Sequence, residues 1–271
     1  TSIRIQKFIN DAYKSDMAYS TLKLRVEVLK NALKYAVYPC EFLKVNAAEH
    51  LKLPPKKEEK EKTNIIDLKT FNKIIDSISI RQTKFKIAFL LAFHTGMRLS
   101  EVCGLTWDKI DMINKEIKVE HILIYRDKEF FLASPKTKTS NRIIAIGPTL
   151  LKILELERAR QIELRKEFAE YYFIHESKKE FVCCHNEGKP IIPNTLKFFC
   201  IDKISKQHNI KFNFHMLRHT HATMLLEAGA NIKEISTRLG HSNTNITLDV
   251  YSHVTAKMKN DTVNIFEKII K

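Results

Sequence analysis

The sequence predicts a mainly α-helical protein with a small antiparallel β-sheet, built as a small helical domain followed by a larger α+β domain. Apolar residues recur at helical spacing over most of the chain, and three segments rich in β-branched and aromatic residues occur together near its middle. A charged, proline-containing segment separates the two parts. The length of 271 residues exceeds the commonest single-domain size, which also favours two domains.

The N-terminal domain is predicted from apolar residues at helical spacing, such as Leu22, Val26 and Leu29, without sustained strand-like alternation. The following segment, LPPKKEEKEKT, combines a double proline with a charge run that cannot pack into a core. We therefore predict a helical domain over residues 1–54, a linker over 55–63 and a second domain over 64–271.

The second domain is predicted to begin with the helices DLKTFNKIIDSI and KFKIAFLLAFHTG, the latter ending at Gly96, and the short helix LSEVCGL. The predicted strands are EIKVEHILI, KEFFLAS and RIIAI, and the basic turn PKTKTSN joins the last two as a lysine-bearing hairpin. Pro148 opens a long amphipathic helix that reaches about Ala169, and another helix spans about Asn194 to His208.

Charge favours a polyanionic partner. Lys and Arg total 46 against 31 Asp and Glu, a formal net charge of +15, and phosphates neutralised by such a surface release counterions. A generally solvated basic surface would explain the charge equally well, so the motifs must decide. The chain has no apolar run long enough to cross a bilayer and no signal-like start, and we expect a cytoplasmic protein without a membrane partner.

The five cysteines show no C-x-x-C spacing, and we expect reduced structural thiols. Cys183, Cys184 and His185 are adjacent, but core packing ranks ahead of a metal site there.

The residues that carry chemistry are concentrated near the C-terminus. His215 and Arg218 stand three apart at the start of a predicted helix, on the face and at the end where a phosphate binds favourably. Asn231 is predicted to cap the next helix, which Gly240 ends. His241 follows that glycine, and a tyrosine, Tyr251, stands ten residues later in LDVYSHV.

The order H-x-x-R-H, L-G-H-S and a following tyrosine resembles the signature of tyrosine recombinases, the family of phage integrases and chromosome-dimer resolvases. The family also places an arginine after a T-G-x-R turn, which matches Arg98 in HTGMRLSEVCGL, with Glu101 on the next turn. A lysine expected in a hairpin between two strands matches Lys136. The resemblance covers residues 64–255 closely, and the first domain resembles the family's core-binding domain with weaker support.

The resemblance implies the catalytic set Arg98, Lys136, His215, Arg218, His241 and Tyr251. A tyrosine with a pKa near 10 needs a base to become a nucleophile, and His215 is expected to take its proton. Two arginine forks can neutralise charge on the phosphate without a metal, so no metal is expected. No nucleotide cofactor is expected either, because the covalent link conserves the bond energy and the sequence has no G-x-x-x-x-G-K-[ST] loop. Lys136, with Lys138 as the rival, is expected to protonate the departing 5′ oxygen.

The roles of His241 and of three neighbouring residues are also expected. His241 is expected to donate a hydrogen bond to the phosphate. Glu101 is expected to orient Arg98 or a neighbouring histidine by holding its side chain. His219 is expected, at most, to support the catalytic residues without contacting the phosphate. A structural, hydrogen-bonding role is the expectation for His221.

The implied function is site-specific recombination of double-stranded DNA at core sites through a 3′-phosphotyrosine intermediate. The implied setting is a mobile-element integrase, such as that of a phage, island or conjugative transposon, with a resident resolvase as the alternative. The expected assembly is a homo-oligomer of four subunits on DNA, with accessory DNA-bending or directionality proteins as further possible partners. A tail helix over about residues 256–271 is expected to dock on a neighbouring protomer, or else to cover its own core.

Two other functions compete. The segment from Ala230 to Val254 is compatible with a helix-turn-helix of a non-catalytic DNA-binding regulator, although that leaves Arg98 and Lys136 unexplained. A type IB topoisomerase would share the chemistry but relax supercoils without site preference.

Overall fold

The structure, a computed structural model, describes residues 1–15, 17–55, 65–135 and 138–241. The chain divides into two compact units, Thr1–Lys62 and Thr63–Lys271. The described part is mainly helical, with short antiparallel strands in the second unit, and this is the predicted fold class. Within those ranges, no helix combines the length and apolar character needed to span a membrane.

The first unit contains helix α1 (Ser2–Lys14) and helix α2 (Tyr19–Val37). The two helices share a small core with the loop that follows them, made of the buried residues Ile9, Leu22, Val26, Ala48 and Leu51. The helical spacing of apolar residues therefore identifies the faces that are buried here.

The second unit carries most of the described helices: α3 (Leu68–Ser77), α4 (Lys86–Thr95), α5 (Leu99–Cys103), α6 (Pro148–Phe168), α7 (Pro193–Phe199), α8 (Ser205–His208), α9 (His215–Glu227) and α10 (Ile232–Leu239). A π-helical turn, Cys200–Ile204, joins α7 to α8. Helix α4 is apolar around most of its circumference because it runs through the core and packs against α9. Its C-terminal end therefore lies beside the helix on which His215 and Arg218 stand.

The strands are β1 (Ile110–Asp111), β2 (Glu116–Val119), β3 (Ile122–Arg126), β4 (Glu129–Ala133) and β5 (Arg142–Ala145). Strands β1, β2 and β5 form one antiparallel sheet in that order, and β3 and β4 form a separate antiparallel hairpin.

The predicted hairpin between the second and third β segments is wrong. The first predicted strand is divided into β2 and β3, and β5 pairs with β2 instead of β4. The physical reason is a two-residue turn at Asp127 and Lys128, both at positive φ (54° and 66°), which joins β3 directly to β4. The segment 135–141 therefore connects two sheets, and Lys136 within it lies outside the described residues.

The predicted start of α9 and the predicted start and end of α10 are confirmed. Helix α9 starts at His215, and the Asn231 side chain caps α10 by accepting a hydrogen bond from the Lys233 backbone N–H (2.8 Å). Helix α10 ends at Gly240, whose φ of 69° is left-handed. Tyr251 and the predicted tail helix over residues 256–271 lie outside the described residues.

All five cysteines are free thiols, and four of them, Cys103, Cys183, Cys184 and Cys200, are buried. Burial raises the pKa of Cys184 and Cys200 to about 12, so both thiols are protonated at neutral pH. These cysteines act as small apolar core residues, as predicted.

Candidate active site

The first part of the site is the turn that joins α4 to α5. Helix α4 ends at Gly96, whose φ of 69° disfavours any residue with a side chain. A Cβ here would lie 2.5 Å from Leu239 Cδ2 and 2.9 Å from His221 Cδ2, so the turn packs tightly on α9 and α10. Two residues later Arg98 caps α5, and its side chain is 36% exposed. The turn therefore places one guanidinium at the protein surface.

Glu101 fixes the Arg98 guanidinium through hydrogen bonds. Its carboxylate accepts hydrogen bonds from the Arg98 backbone N–H and from Arg98 Nη1, both at 2.8 Å. It also accepts from Arg142 Nη2 (2.9 Å) and Nη1 (3.2 Å), and the side chains of Glu101 and Arg142 are only 1% and 3% exposed. Burial raises the pKa of Glu101, but the hydrogen bonds and charge of Arg142 and the hydrogen bonds of Arg98 outweigh it and lower the pKa. An ionised carboxylate thus fixes Arg98.

Arg218 is the second guanidinium of the site, and it is buried on the first turns of α9. Its Nη1 donates to the Gly96 carbonyl and its Nη2 donates to the Leu239 carbonyl, each at 2.8 Å. Both acceptors lie at helix C-terminal ends, where carbonyls lack helical partners and the peptide dipoles favour a cation. Arg218 therefore ties the end of α4 to the end of α10.

The C-terminal end of α10 holds three arginines through three consecutive main-chain carbonyls, which we call the α10 carbonyls. The donor and acceptor pairs are Arg142 Nε to Arg238 O (2.6 Å), Arg218 Nη2 to Leu239 O (2.8 Å) and Arg98 Nη2 to Gly240 O (3.0 Å). One helix end thereby gathers guanidinium groups from α9, from β5 and from the turn before α5. Two of these groups belong to the predicted catalytic set.

Histidines stand next to this arginine cluster. The rings of His215 and His219 meet edge to face with centroids 4.6 Å apart. Desolvation, together with the charges of His219, Arg218 and Arg98, lowers the pKa of His215 to about 4. His215 is nevertheless exposed at the start of α9.

His241 follows Gly240 directly. Desolvation lowers its pKa to about 4, and the charges of Arg218, Arg98 and His215 contribute. The same arginines thus act on both histidines, so both rings lie within electrostatic range of the cluster. At neutral pH both are neutral imidazoles, each with one N–H donor and one acceptor nitrogen.

His221 has a structural position. Its Nδ1 lies 2.8 Å from the Phe93 carbonyl, and its Nε2 accepts a hydrogen bond from Arg238 Nε (3.1 Å). This network assigns the proton to Nδ1. Burial and the charge of Arg238 lower its pKa to about 4, which keeps the ring neutral.

The structure brings together Arg98, His215, Arg218 and His241 of the predicted catalytic set. Glu101 is hydrogen-bonded to Arg98, and His219 contacts His215. Lys136, Tyr251 and the side chain of Lys138 lie outside the described residues.

Sequence reasoning missed two arginines of this region, Arg142 and Arg238. A signal for Arg142 existed: in the strand RIIAI it shares the inward face with Ile144, and an arginine at an inward strand position requires a buried partner. Arg238 gave no such signal, because it stands on an amphipathic helix where a solvent-facing cation is the ordinary expectation.

The sequence of the second unit matches a known protein family. Residues 64–258 match the model of the phage integrase family. The chain belongs to the phage integrase family. The match spans α3 to α10 and every residue of the predicted catalytic set.

Individual relatives agree with the family. The chain is 33% identical to a XerC-like tyrosine recombinase of Caldanaerobacter subterraneus, over 97% of this chain and 69% of that protein. It is also 33% identical to the ICEBs1 integrase of Bacillus subtilis, over 79% of this chain, and it spans 56% of that relative's length. The integrase of Staphylococcus phage L54a is 28% identical over 98% of this chain and 79% of its own. This phage integrase family member is accordingly a tyrosine-type site-specific DNA recombinase, an enzyme, as the motifs predict.

Solved structures share the fold. The Tn1549 transposon integrase in complex with a circular intermediate DNA superposes with a TM-score of 0.74 at 22% identity, covering 94% of this chain and 83% of that one. The XerH recombinase bound to its difH substrate superposes with a TM-score of 0.66 at 17% identity, covering 98% of this chain and 72% of that one. At these identities the likeness establishes the architecture.

Proposed function

We propose that this recombinase cleaves and rejoins double-stranded DNA at specific core sites, with Tyr251 as the nucleophile and with Arg98 and Arg218 binding the scissile phosphate. The observation that carries the proposal is the arrangement at the end of α10, where main-chain carbonyls and Glu101 orient two arginines beside two neutral histidines. Groups oriented in advance stabilise a transition state without further reorganisation.

Each step of the reaction has a candidate group. The Tyr251 oxygen attacks phosphorus, the bond from phosphorus to the 5′ oxygen breaks, and a 3′-phosphotyrosine link and a free 5′ hydroxyl result. His215 accepts the tyrosine proton, which requires a neutral ring, and its lowered pKa provides one at neutral pH. The reverse attack by a 5′ hydroxyl of another strand restores the phosphodiester without ATP.

The arginines neutralise charge that builds on the non-bridging oxygens. A planar guanidinium can bind two oxygens at once, and its charge persists at every accessible pH. His241, neutral with one N–H, adds a donor to the same phosphate. Chemistry of this kind needs no metal ion, since the guanidinium groups supply the positive charge.

Lys136 is our candidate for the acid that protonates the departing 5′ oxygen, with Lys138 as the alternative. The support is positional: the segment that carries both lysines leads directly into β5, and Arg142 of β5 is bonded to Glu101 and to the carbonyl of Arg238. The segment is thereby anchored at the site on its C-terminal side.

The partners follow from the same proposal. Homologous structures include a lambda integrase dimer bound to a core site and XerH bound to difH, and we propose that this chain likewise binds a core site and acts as a tetramer on paired sites. The N-terminal unit would add DNA contacts as a core-binding domain, and the segment 256–271 would dock on a neighbouring protomer. The setting we propose is a mobile element in a bacterial cytoplasm, with accessory DNA-bending or directionality proteins.

The test is a covalent adduct. Purified chain is incubated with a library of nicked duplexes, which lose a short strand after cleavage and so trap the intermediate, and SDS-resistant complexes are recovered and sequenced. We expect a defined subset of sites with the wild type, and no adduct with Tyr251→Phe, which should still bind DNA. Adducts from Tyr251→Phe, or none from the wild type on any site, would contradict the proposal.

The same material separates the alternatives. A non-catalytic regulator would bind a site with Tyr251 intact and form no adduct. A type IB topoisomerase would relax a supercoiled plasmid that lacks the selected site, whereas we expect relaxation and recombination to depend on that site.

A further inference from the structure

Arg238 connects the end of α10 to three other elements. Its Nε donates to His221 Nε2 on α9 (3.1 Å), its Nη1 to the Ala145 carbonyl of β5 (2.9 Å) and its Nη2 to the His94 carbonyl of α4 (3.1 Å). Each nitrogen of the guanidinium thus binds a different part of the second unit. The side chain is directed into the protein and leaves the phosphate-binding groups to Arg98 and Arg218.

The main chain at this point carries the α10 carbonyls, which begin with the carbonyl of Arg238 itself. The next two carbonyls are those that accept from Arg218 and Arg98. A displacement of the helix end relative to α4, β5 or α9 would therefore move the acceptors of both phosphate-binding arginines. The side chain of Arg238 restrains that displacement in three directions.

We propose that Arg238 is a positioning residue for DNA cleavage, which holds the α10 carbonyls where they orient Arg98 and Arg218 toward the scissile phosphate. The inference rests on the proposed function and adds to it a residue that acts through the two arginines.

The chemistry of the three acceptors explains why an arginine is needed. Two acceptors are carbonyls, and the third is the unprotonated Nε2 of His221, whose other nitrogen binds the Phe93 carbonyl. A planar fork with donors on three nitrogens spreads its hydrogen bonds over acceptors on three separate elements at once. A lysine has donors on a single atom and would satisfy part of the set.

The experiment compares Arg238→Met and Arg238→Lys with the wild type in single-turnover adduct formation on a selected nicked duplex, well below the melting temperature of each variant. Arg160→Met is the matched control, because Arg160 is a half-buried arginine on α6 whose fork binds Glu157 of the same helix. We expect Arg238→Met to slow adduct formation by about 10- to 100-fold, since small displacements of catalytic groups cost rates of this order. The Kd of Arg238→Met for DNA should differ from that of the wild type by less than about threefold. The rate of adduct formation by Arg238→Lys should lie between the rates of the wild type and Arg238→Met.

A double variant distinguishes positioning from general loss of structure. If Arg238 acts through the arginines, adding Arg238→Met to Arg98→Ala should reduce the rate by a smaller factor than it does in the wild type, because only Arg218 then remains for the α10 carbonyls to orient. Arg160→Met should lower the melting temperature without slowing adduct formation.

Three results would decide against the inference. Adduct formation by Arg238→Met at the wild-type rate, or rate losses that multiply in the double variant, would overturn it while the proposed function stands. Failure of the wild type to form any adduct would overturn the proposed function itself, and the inference with it. If Arg238→Met does not fold, Arg238→Lys carries the same comparison.

Discussion

Replacing Glu101 with glutamine tests how much the buried ion pair between Glu101 and Arg142 stabilises the protein. The carboxylate accepts four hydrogen bonds, two from Arg98 and two from Arg142, and Arg142 has a side chain that is 3% exposed. Glutamine keeps the shape but offers one acceptor oxygen and turns an N–H₂ donor toward the donors of the arginines. The change therefore leaves the buried charge of Arg142 without its counter-ion.

The expected cost follows from that loss. Removing one member of a buried ion pair typically destabilises a protein by about 3–5 kcal/mol. Arg142 retains its bonds to the carbonyls of Ser140 (3.0 Å) and Arg238 (2.6 Å), so we expect the lower end, about 3 kcal/mol. At the urea dependence common for domains, this lowers the unfolding midpoint by about 1–2 M.

The assay is urea unfolding followed by tryptophan fluorescence. The chain has one tryptophan, Trp107, and its Nε1 donates to Gln161 Oε1 (2.8 Å), so the signal reports the second unit. Glu163→Gln is the control, because Glu163 and its partner Lys166 are 71% and 69% exposed, and it should cost under about 0.5 kcal/mol.

The reasoning is refuted if the two glutamine variants shift the midpoint equally. It is also refuted if Arg142→Met adds its full cost to Glu101→Gln, because removing the second member of the pair should recover part of the loss.

Three further predictions concern the packing and charge of the site. Gly96→Ala should lower the free energy of unfolding in urea by more than about 2 kcal/mol, since the left-handed φ costs about 1 kcal/mol and a Cβ would lie 2.5 Å from a Leu239 methyl and 2.9 Å from the His221 ring. Gly229 is also left-handed, but a Cβ there would have nothing within 4 Å, so Gly229→Ala should lose only the conformational part. Equal losses in the two variants would refute the packing argument. The folded pKa of His221 is about 4, below its unfolded value, so its contribution to stability is complete above pH 6.5 and falls toward pH 4 by on the order of 1 kcal/mol per pH unit. The free energy of unfolding should therefore fall less steeply with acid in His221→Gln than in the wild type. An unchanged slope would count against this. Arg218→Lys should slow adduct formation by about 10²–10³-fold because lysine cannot bridge two helix ends and bind phosphate at once, and a near-normal rate would remove Arg218 from the proposed mechanism.

Local signals in the sequence predicted the helices and their ends well. Gly96 and Gly240 end their helices at a left-handed φ, and Asn231 caps α10, because each of these effects depends on a few neighbouring residues. The spacing that joins His215 to Arg218 also survives in the structure, since one helix carries both.

Strand pairing and buried polar contacts were less predictable. The pairing of β5 with β2 depends on the turn at Asp127 and Lys128, which lacks the glycine that usually announces a two-residue hairpin. Arg238 meets acceptors 17, 93 and 144 residues away along the chain. Contacts over such separations are set by the packing of whole elements, which no local pattern encodes.

Because the acceptors at the end of α10 are peptide oxygens, no point mutation can delete them. A replacement at Leu239 leaves the oxygen that Arg218 binds, and it can disturb that bond only by bending the backbone. At Gly240 the constraint is conformational, since any other residue must adopt a φ of 69° and place a Cβ 3.1 Å from Arg142 Nη1. Point mutations can therefore disable this part of the recombinase by removing an arginine donor or by altering the glycine conformation. They cannot remove the acceptor oxygens, which every residue of the main chain provides.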